Sequence, residues 1–343
     1  MKFKNVVISS FAYHLPDQIM TSEEIEDRLA PLYQRLKLPC GRIELMTGIK
    51  ERRFWPPGTR PSDLSTQAAR NLFEKKIVKP ENIDLLIHAS VCRDFLEPPT
   101  SSIVHHNLGL RPETIIFDLS NACLGVMSSI VVAANMIENN VIKHALIVSG
   151  ENGSPLLLQT IEQLLKDDNL TRKSIKKYIA NLTIGSAAVA YTVSHKDYVN
   201  GGHLLLGGAS LADSSANVLC HGDGNTASLM METDSEELMQ SGVALAKKTW
   251  EETKRELGWT NADVDCFVGH QVGVAHEALL KQTLKLENCP TFTTYQYLGN
   301  TGASALPITL NIFDEQKGIS QGSNVGLLGI GSGLNSVMLG VKW

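Results

Sequence analysis

The sequence predicts an α/β protein layered α/β/α/β/α and built from two duplicated halves. Three observations carry that prediction. Short apolar runs of strand length alternate with segments of helical period. The order of these elements in the first part of the chain recurs in the second. The spacing between matching elements is nearly kept as well. At 343 residues, 43% of them apolar and 20% charged, the chain can bury the large core such a body needs.

Residues 1–8 enter a strand directly. In the first half, 65–75 read as an amphipathic helix and 83–90 as a strand. A loop leads to a short buried strand at 114–119, a turn carrying Cys123, and a mostly apolar helix at 127–137. A strand at 145–149 follows, then an insertion around 152–182 and a small-residue strand at 187–193. In the second half, 242–257 read as a helix, 264–268 as a strand and 274–284 as a helix. A short apolar run at 291–294 precedes the turn Gly299-Asn300-Thr301-Gly302, a helix at 305–313 and strands at 325–330 and 336–343. The expected division is therefore 1–200, carrying Cys123, and 201–343, carrying His270 and Asn300.

The two series match step for step. Asp84-Leu85-Leu86-Ile87-His88-Ala89-Ser90-Val91 aligns with Asp265-Cys266-Phe267-Val268-Gly269-His270-Gln271-Val272. Cys123 follows Ala89 by 34 positions, and Asn300 follows His270 by 30. Such alternation implies mostly parallel sheets covered by helices, with chemistry at the carboxyl ends of the strands. Cys123, His270 and Asn300 all fall at such ends.

Cys123 lies in Phe117-Asp118-Leu119-Ser120-Asn121-Ala122-Cys123-Leu124-Gly125, where strand gives way to helix. A lone cysteine is more often an inert buried thiol. At a helix N-terminus, unpaired N–H groups and the helix dipole favour the thiolate, so a lowered pKa is expected here, with His270 as a second influence. His270, after an apolar strand and between glycines, reads equally as a hydrogen-bonded core imidazole or a functional one. The Asn300 turn is ordinary by default. Its amide, presented beside an imidazole N–H, would make a hole for a developing oxyanion. Gly329-Ile330-Gly331-Ser332-Gly333-Leu334-Asn335 reads as a tight turn, and no Gly-Lys-Ser/Thr follows to make it a phosphate loop. Its glycines let backbone approach a ligand, which is compatible with a second hole from the N–H groups of Cys123 and Ser332. His276 and the pair His105-His106 read as surface or interface residues.

Composition excludes several classes. A net charge of −5 argues against general affinity for nucleic acid. Six scattered cysteines without a C-x-x-C argue for a reducing compartment and against a zinc site or disulfide scaffold. No apolar stretch reaches the ~20 residues of a membrane span, and the first strand leaves no room for a signal-peptide core. A cytoplasmic protein without an integral membrane segment is expected. Papain-like hydrolases share the order Cys, His, Asn, but their Cys-Gly-Ser/Ala-Cys-Trp/Tyr surroundings are absent.

The combination of Asn121-Ala122-Cys123-Leu124-Gly125, Gly269-His270-Gln271 and Gly299-Asn300-Thr301 resembles the thiolase superfamily over essentially the whole chain. With Met46-Thr47-Gly48-Ile49-Lys50-Glu51-Arg52-Arg53 it looks like the ketoacyl synthase III branch, which condenses acyl thioesters. Ser90-Val91-Cys92-Arg93-Asp94-Phe95-Leu96-Glu97-Pro98-Pro99-Thr100-Ser101, Leu257-Gly258-Trp259 and the Gly-rich ending are similar to OleA-type enzymes, which join two fatty acyl-CoA molecules head to head. One departure from the ketoacyl synthase III pattern stands out. Its His-Gln-Ala-Asn stretch is here His270-Gln271-Val272-Gly273, as in OleA-type enzymes, without the fourth-position amide.

The resemblance implies a thiolase-like fold and a homodimer in which Glu97 enters the partner's active site as the base. By itself Glu97 is a carboxylate on a Pro-rich loop, most often a solvated charge. The implied reaction is a Claisen condensation through an acyl group on Cys123, with no metal or redox cofactor and with CoA or acyl-carrier-protein thioesters as substrates. The alternatives are a ketoacyl synthase III using malonyl carrier protein in fatty acid synthesis, an acyl-thioester hydrolase, and a non-catalytic scaffold. The five Lys/Arg of 166–177 read as a solvated helix face, one that would also suit a CoA phosphate or an acidic carrier protein. Leu96, Leu108, Leu110 and Met127 are candidates for an acyl tunnel or for plain core.

Overall fold

Alternation within the strands decides how this chain is layered. The computed structural model describes residues 1–222 and 231–343. Among these, nine strands join in one mixed sheet, in the order Cys266–Gly269, Asn324–Gly331, Asn335–Lys342, His203–Ala212, Val6–His14, Ala187–His195, His144–Glu151, Leu85–His88 and Ile115–Asp118. Along Leu85–His88 and its neighbours, Leu85, Ile87, Ala145, Ile147, Ala187 and Val189 enter a central core. The intervening Leu86, Leu146, Val148, Ala188 and Ala190 face Leu64, Ala68 and Leu72 of the helix Pro61–Phe73 instead.

The second half repeats the device. Cys266, Val268, Val325, Leu327, Val337 and Leu339 join the same central core, while Phe267, Leu328, Ile330 and Met338 meet Trp250 of the helix Ser235–Leu257. Between the two half-sheets lie the helices Gly125–Glu138 and Ala305–Lys317, apolar on most sides as a doubly covered helix must be. Helix, sheet, helix, sheet and helix follow in that order, as the sequence predicts. The half-sheets share an edge where Val7 and Ile8 pair with Leu204 and His203.

One expectation needs correction, and one strand lies outside the predicted elements. The sheet is not mostly parallel: among the described pairings three are parallel and five antiparallel. One return, the three residues 332–334 between Asn324–Gly331 and Asn335–Lys342, is too short for a crossover. The strand His203–Ala212 has no counterpart among the predicted elements because Gly207 and Gly208 interrupt its apolar pattern. Those glycines let neighbouring backbone approach: a Cβ would lie 2.2 Å from the Met1 carbonyl oxygen at Gly207 and 1.9 Å from that of Met338 at Gly208. The run 291–294 makes only a single bridge, Thr291 to Phe267.

The insertion adds a secondary core. Its helix Ser154–Lys166 packs Leu157, Ile161 and Leu164 against Ile25, Leu29, Leu32 and Ile43 from the N-terminal helices. The basic segment 166–177 is not the face of one helix, since the α-helix stops at Lys166 and a 3-10 helix begins only at Ser174. Arg172 instead donates to the carbonyls of Leu36 and Lys37 at 2.6 Å, and Lys177 pairs with Glu232 at 3.2 Å. No helix among the described residues is long and apolar enough to cross a membrane.

Candidate active site

Cys123 stands two residues before the helix Gly125–Glu138. The turn that delivers it puts Ala122 at φ +45°, a left-handed conformation that costs a non-glycine residue roughly 1–2 kcal/mol. Two short bonds close the turn, Leu124 N to Asn121 O at 2.9 Å and Gly125 N to Ala122 O at 3.2 Å. From the other half, the strand Asn324–Gly331 packs directly on this turn. A Cβ at Gly329 would lie 2.6 Å from Leu124 Cδ2, and one at Gly331 would lie 3.7 Å from the Cys123 nitrogen. The Cys123 amide therefore lies beside the turn that begins at Gly331 and Ser332.

The expected thiolate is absent from the resting site. Burial, then Glu151 and then Cys220 push the Cys123 thiol up to about 12, against a small lowering by its own backbone amide. The dipole at the helix end is too weak to offset the loss of water around the sulfur. His270, 7% exposed, is pulled down to about 3 by burial, with His276 adding to the shift. A neutral thiol and a neutral imidazole thus replace an ion pair at neutral pH. His276 is itself buried and lowered to about 4, which corrects its reading as a surface residue.

His270 follows the strand Cys266–Gly269, and its N–H donates to Leu328 O at 3.1 Å, which ties it to the strand that packs on the Cys123 turn. Its Nδ1 is buried without a hydrogen-bond partner. Gln271 braces this end against the next element: its Oε1 accepts from Thr294 N at 2.8 Å and Tyr295 N at 3.3 Å. The short helix Tyr295–Leu298 begins there and runs into Gly299 and Asn300.

Asn300 is clamped by the first half of the chain. Its N–H donates to Thr183 O, and its carbonyl accepts from Gly185 N, both at 2.9 Å. Its Oδ1 accepts from Gly302 N at 3.1 Å, an arrangement that leaves the side-chain NH2 free to donate. Gly299 sits at φ +66°, where a Cβ would come within 2.5 Å of Thr183 O. Beneath lies Arg52, fully buried, donating to Ser22 Oγ at 2.9 Å and Leu182 O at 2.7 Å. Burial lowers Arg52 to about 10, so it stays charged at neutral pH.

Residues 255–343 match the family of the 3-oxoacyl-[acyl-carrier-protein] synthase III C terminal, and residues 117–163 match 3-oxoacyl-[acyl-carrier-protein] synthase III. An acyl-CoA:acyl-CoA alkyltransferase from Shewanella oneidensis is 38% identical, and one from Xanthomonas campestris is 36% identical, each over all of both chains. The structure of cerulenin-bound Xanthomonas campestris OleA superposes with a TM-score of 0.95 at 35% identity, covering 100% of this chain and 98% of that one. This chain belongs to the OleA-type branch of the thiolase superfamily. Its fold is thiolase-like, and it is an acyl-transferring enzyme of the ketoacyl synthase III-like kind.

In this member of the OleA-type branch, Glu97 lies on an exposed loop pinned at both ends. Asp94 accepts from Ser62 N at 2.9 Å and Ser62 Oγ at 2.6 Å, and Asp118 accepts from Thr100 N and Ser101 N at 2.8 Å. Leu96 beside it is 91% exposed, so it lines no tunnel within the chain. Leu110 and Met127 are core residues, and Leu108 packs against the outer core. A cleft of about 420 Å³ opens elsewhere, lined by Ile19, Met20, Phe54, Trp55, Leu157 and Leu158 among others.

Two residues near Cys123 escape sequence reasoning. Cys220 belongs to the ribbon strand Cys220–Gly222, far from any motif. Glu151 ends the strand His144–Glu151 and is 3% exposed. A lone acidic residue at the end of an apolar strand was the available signal.

Proposed function

We propose that this protein joins two fatty acyl-CoA molecules head to head, with Cys123, His270 and Asn300 as its catalytic side chains and Glu97 as the base. The observation that carries the reading is whole-length identity of 38% and 36% to two acyl-CoA:acyl-CoA alkyltransferases. The site supports it chemically. Cys123 loses its proton as it attacks the first thioester; the Cys–acyl bond forms, the acyl–CoA bond breaks, and CoA leaves as the thiol. The N–H groups of Cys123 and Ser332 hold the oxyanion. The second acyl-CoA then lies with its carbonyl toward His270 and the free NH2 of Asn300, which stabilise the enolate as Glu97 takes the alpha proton. The carbanion attacks the Cys-bound acyl carbon; a carbon–carbon bond forms, the carbon–sulfur bond breaks, and the released Cys123 thiolate takes up the proton that Glu97 removed.

A homodimer in which Glu97 serves the partner's site suits an exposed loop bearing Phe95 and Leu96. The chemistry needs neither metal nor redox cofactor, and a free catalytic thiol suits a reducing cytoplasm. The ketoacyl synthase III alternative fits less well. A Cβ at Gly273 would lie 2.7 Å from Thr47 O, so the asparagine of that pattern has no room without moving the helix Arg42–Thr47.

The test is incubation with a long-chain acyl-CoA alone and then with malonyl carrier protein added, products being identified by mass spectrometry. A 2-alkyl-3-oxo product from acyl-CoA alone is expected. Condensation only with malonyl carrier protein, or free fatty acid as the sole product, would sink the reading.

A further inference from the structure

We infer that Glu151 is the positioning residue that holds the Glu97 loop and the Asn300 turn in register around Cys123. The inference rests on the proposed condensation, because it assigns both anchored segments to the second half-reaction. Glu151 Oε1 accepts from Val91 N at 2.9 Å and from Ala303 N at 3.0 Å, while Oε2 accepts from Cys92 N at 3.1 Å. Val91 and Cys92 form the root of the loop that carries Glu97. Ala303 follows Asn300 by three positions and belongs to the other half. One oxygen therefore bridges the two segments.

The fit leaves little slack. A Cβ on Gly302 would lie 2.9 Å from the Glu151 carboxyl carbon and Oε1. The Glu151 carbonyl is fixed in turn by Trp55 Nε1 at 3.1 Å. A second cross-half link runs alongside, Ser90 Oγ to Ser149 Oγ at 3.1 Å and Ser304 Oγ to Ser149 Oγ at 2.9 Å. Among the described residues no cation pairs with Glu151. A buried carboxylate costs far more than a neutral acceptor, so its three amide bonds are the use the fold makes of it. Burial raises the Glu151 carboxyl while those amides pull it back down, and in its ionised form it opposes the Cys123 thiolate until the sulfur is acylated.

The experiment uses the full chain, a long-chain acyl-CoA and three variants: Glu151→Asp, Glu151→Gln and Gly302→Ala. Cys123 acylation is read by intact-protein mass spectrometry, condensation by product mass, and thiol reactivity by the pH dependence of iodoacetamide alkylation. Shortening the arm in Glu151→Asp should lower condensation about 100-fold, the cost of roughly 1 Å of misplacement, with acylation within about threefold of wild type. Gly302→Ala, which keeps the charge, should show the same split and an unmoved alkylation profile. Glu151→Gln, which keeps the reach of the arm and one accepting oxygen, should retain more condensation than Glu151→Asp. Parallel loss of acylation and condensation, or condensation unchanged in both Glu151→Asp and Gly302→Ala, would overturn the inference. A wild type that alkylates as expected but forms no condensed product would instead sink the proposed function.

Discussion

The matching turns of the two halves, one bearing Cys123 and the other Asn300, are supported in opposite ways. The Cys123 turn is closed by bonds among its own residues, from Asn121 to Gly125, and carries local strain at Ala122. The Asn300 turn is held from outside, by Thr183, Gly185, Arg52 and Glu151 of the other half. In the proposed reaction the nucleophile needs to be presented, which a short strained turn does with its own hydrogen bonds while the other half only packs against it. An amide that donates to a carbonyl needs to be aimed, which takes contacts from several directions. Duplication supplied two equivalent turns, and the division of support followed the division of chemistry.

The largest effects should separate the turns most cleanly. Cys123→Ala should abolish acylation and condensation together, each by about a thousandfold or more, because no other group carries the acyl chain. Asn300→Ala should cost about 100-fold in condensation, as loss of one oxyanion donor does, while intact-protein mass spectrometry still shows a Cys123 acyl adduct. Equal loss of acylation in Asn300→Ala would mean that the two turns serve one step, and the comparison would fail.

The same contrast explains what the sequence revealed. Cys123, His270 and Asn300 stand out in the sequence because each is expected where a strand ends and duplication supplies matching spacing, although the structure puts Asn300 after the short helix Tyr295–Leu298. Helices 61–73 and 125–138 were legible because each buries a continuous apolar face. The supports were not. Arg52 lies in a motif quoted for resemblance alone, yet its contacts at Ser22 and Leu182 are distant in sequence. Glu151 makes its bonds to backbone amides, and no residue type marks an amide as a partner. Protonation failed for a related reason: burial of Cys123 depends on both halves, whereas the helix end that suggested a thiolate is local.

Packing should give an intermediate effect. A Cβ at Gly185 would come 1.9 Å from Leu298 O and 3.3 Å from Arg52 Cβ. Gly185→Ala should therefore destabilise the chain by about 1–3 kcal/mol, read by urea denaturation. It should also depress condensation more than acylation, since it displaces the clamp on Asn300. An alanine tolerated at both levels would show that the clamp yields.

The smallest effect concerns acid. His270 and His276 in the second half are lowered to about 3 and about 4, and His88 in the first half to about 4. Each binds its proton more weakly folded than unfolded, where about 6.5 is usual. Below about pH 6.5 the unfolded chain takes up protons that the folded chain refuses, so stability falls with pH from about 6.5 toward about 3–4. The value for His88 already includes the opposing pull of Asp118 and Asp94, and 85–90 hold one such histidine where 266–277 hold two. The second half should therefore loosen first. Hydrogen exchange between pH 7 and pH 4.5 should rise around 266–277 before it rises around 85–90, and His276→Gln should flatten that rise. Loss of protection at 85–90 first would reverse the assignment of the weaker half.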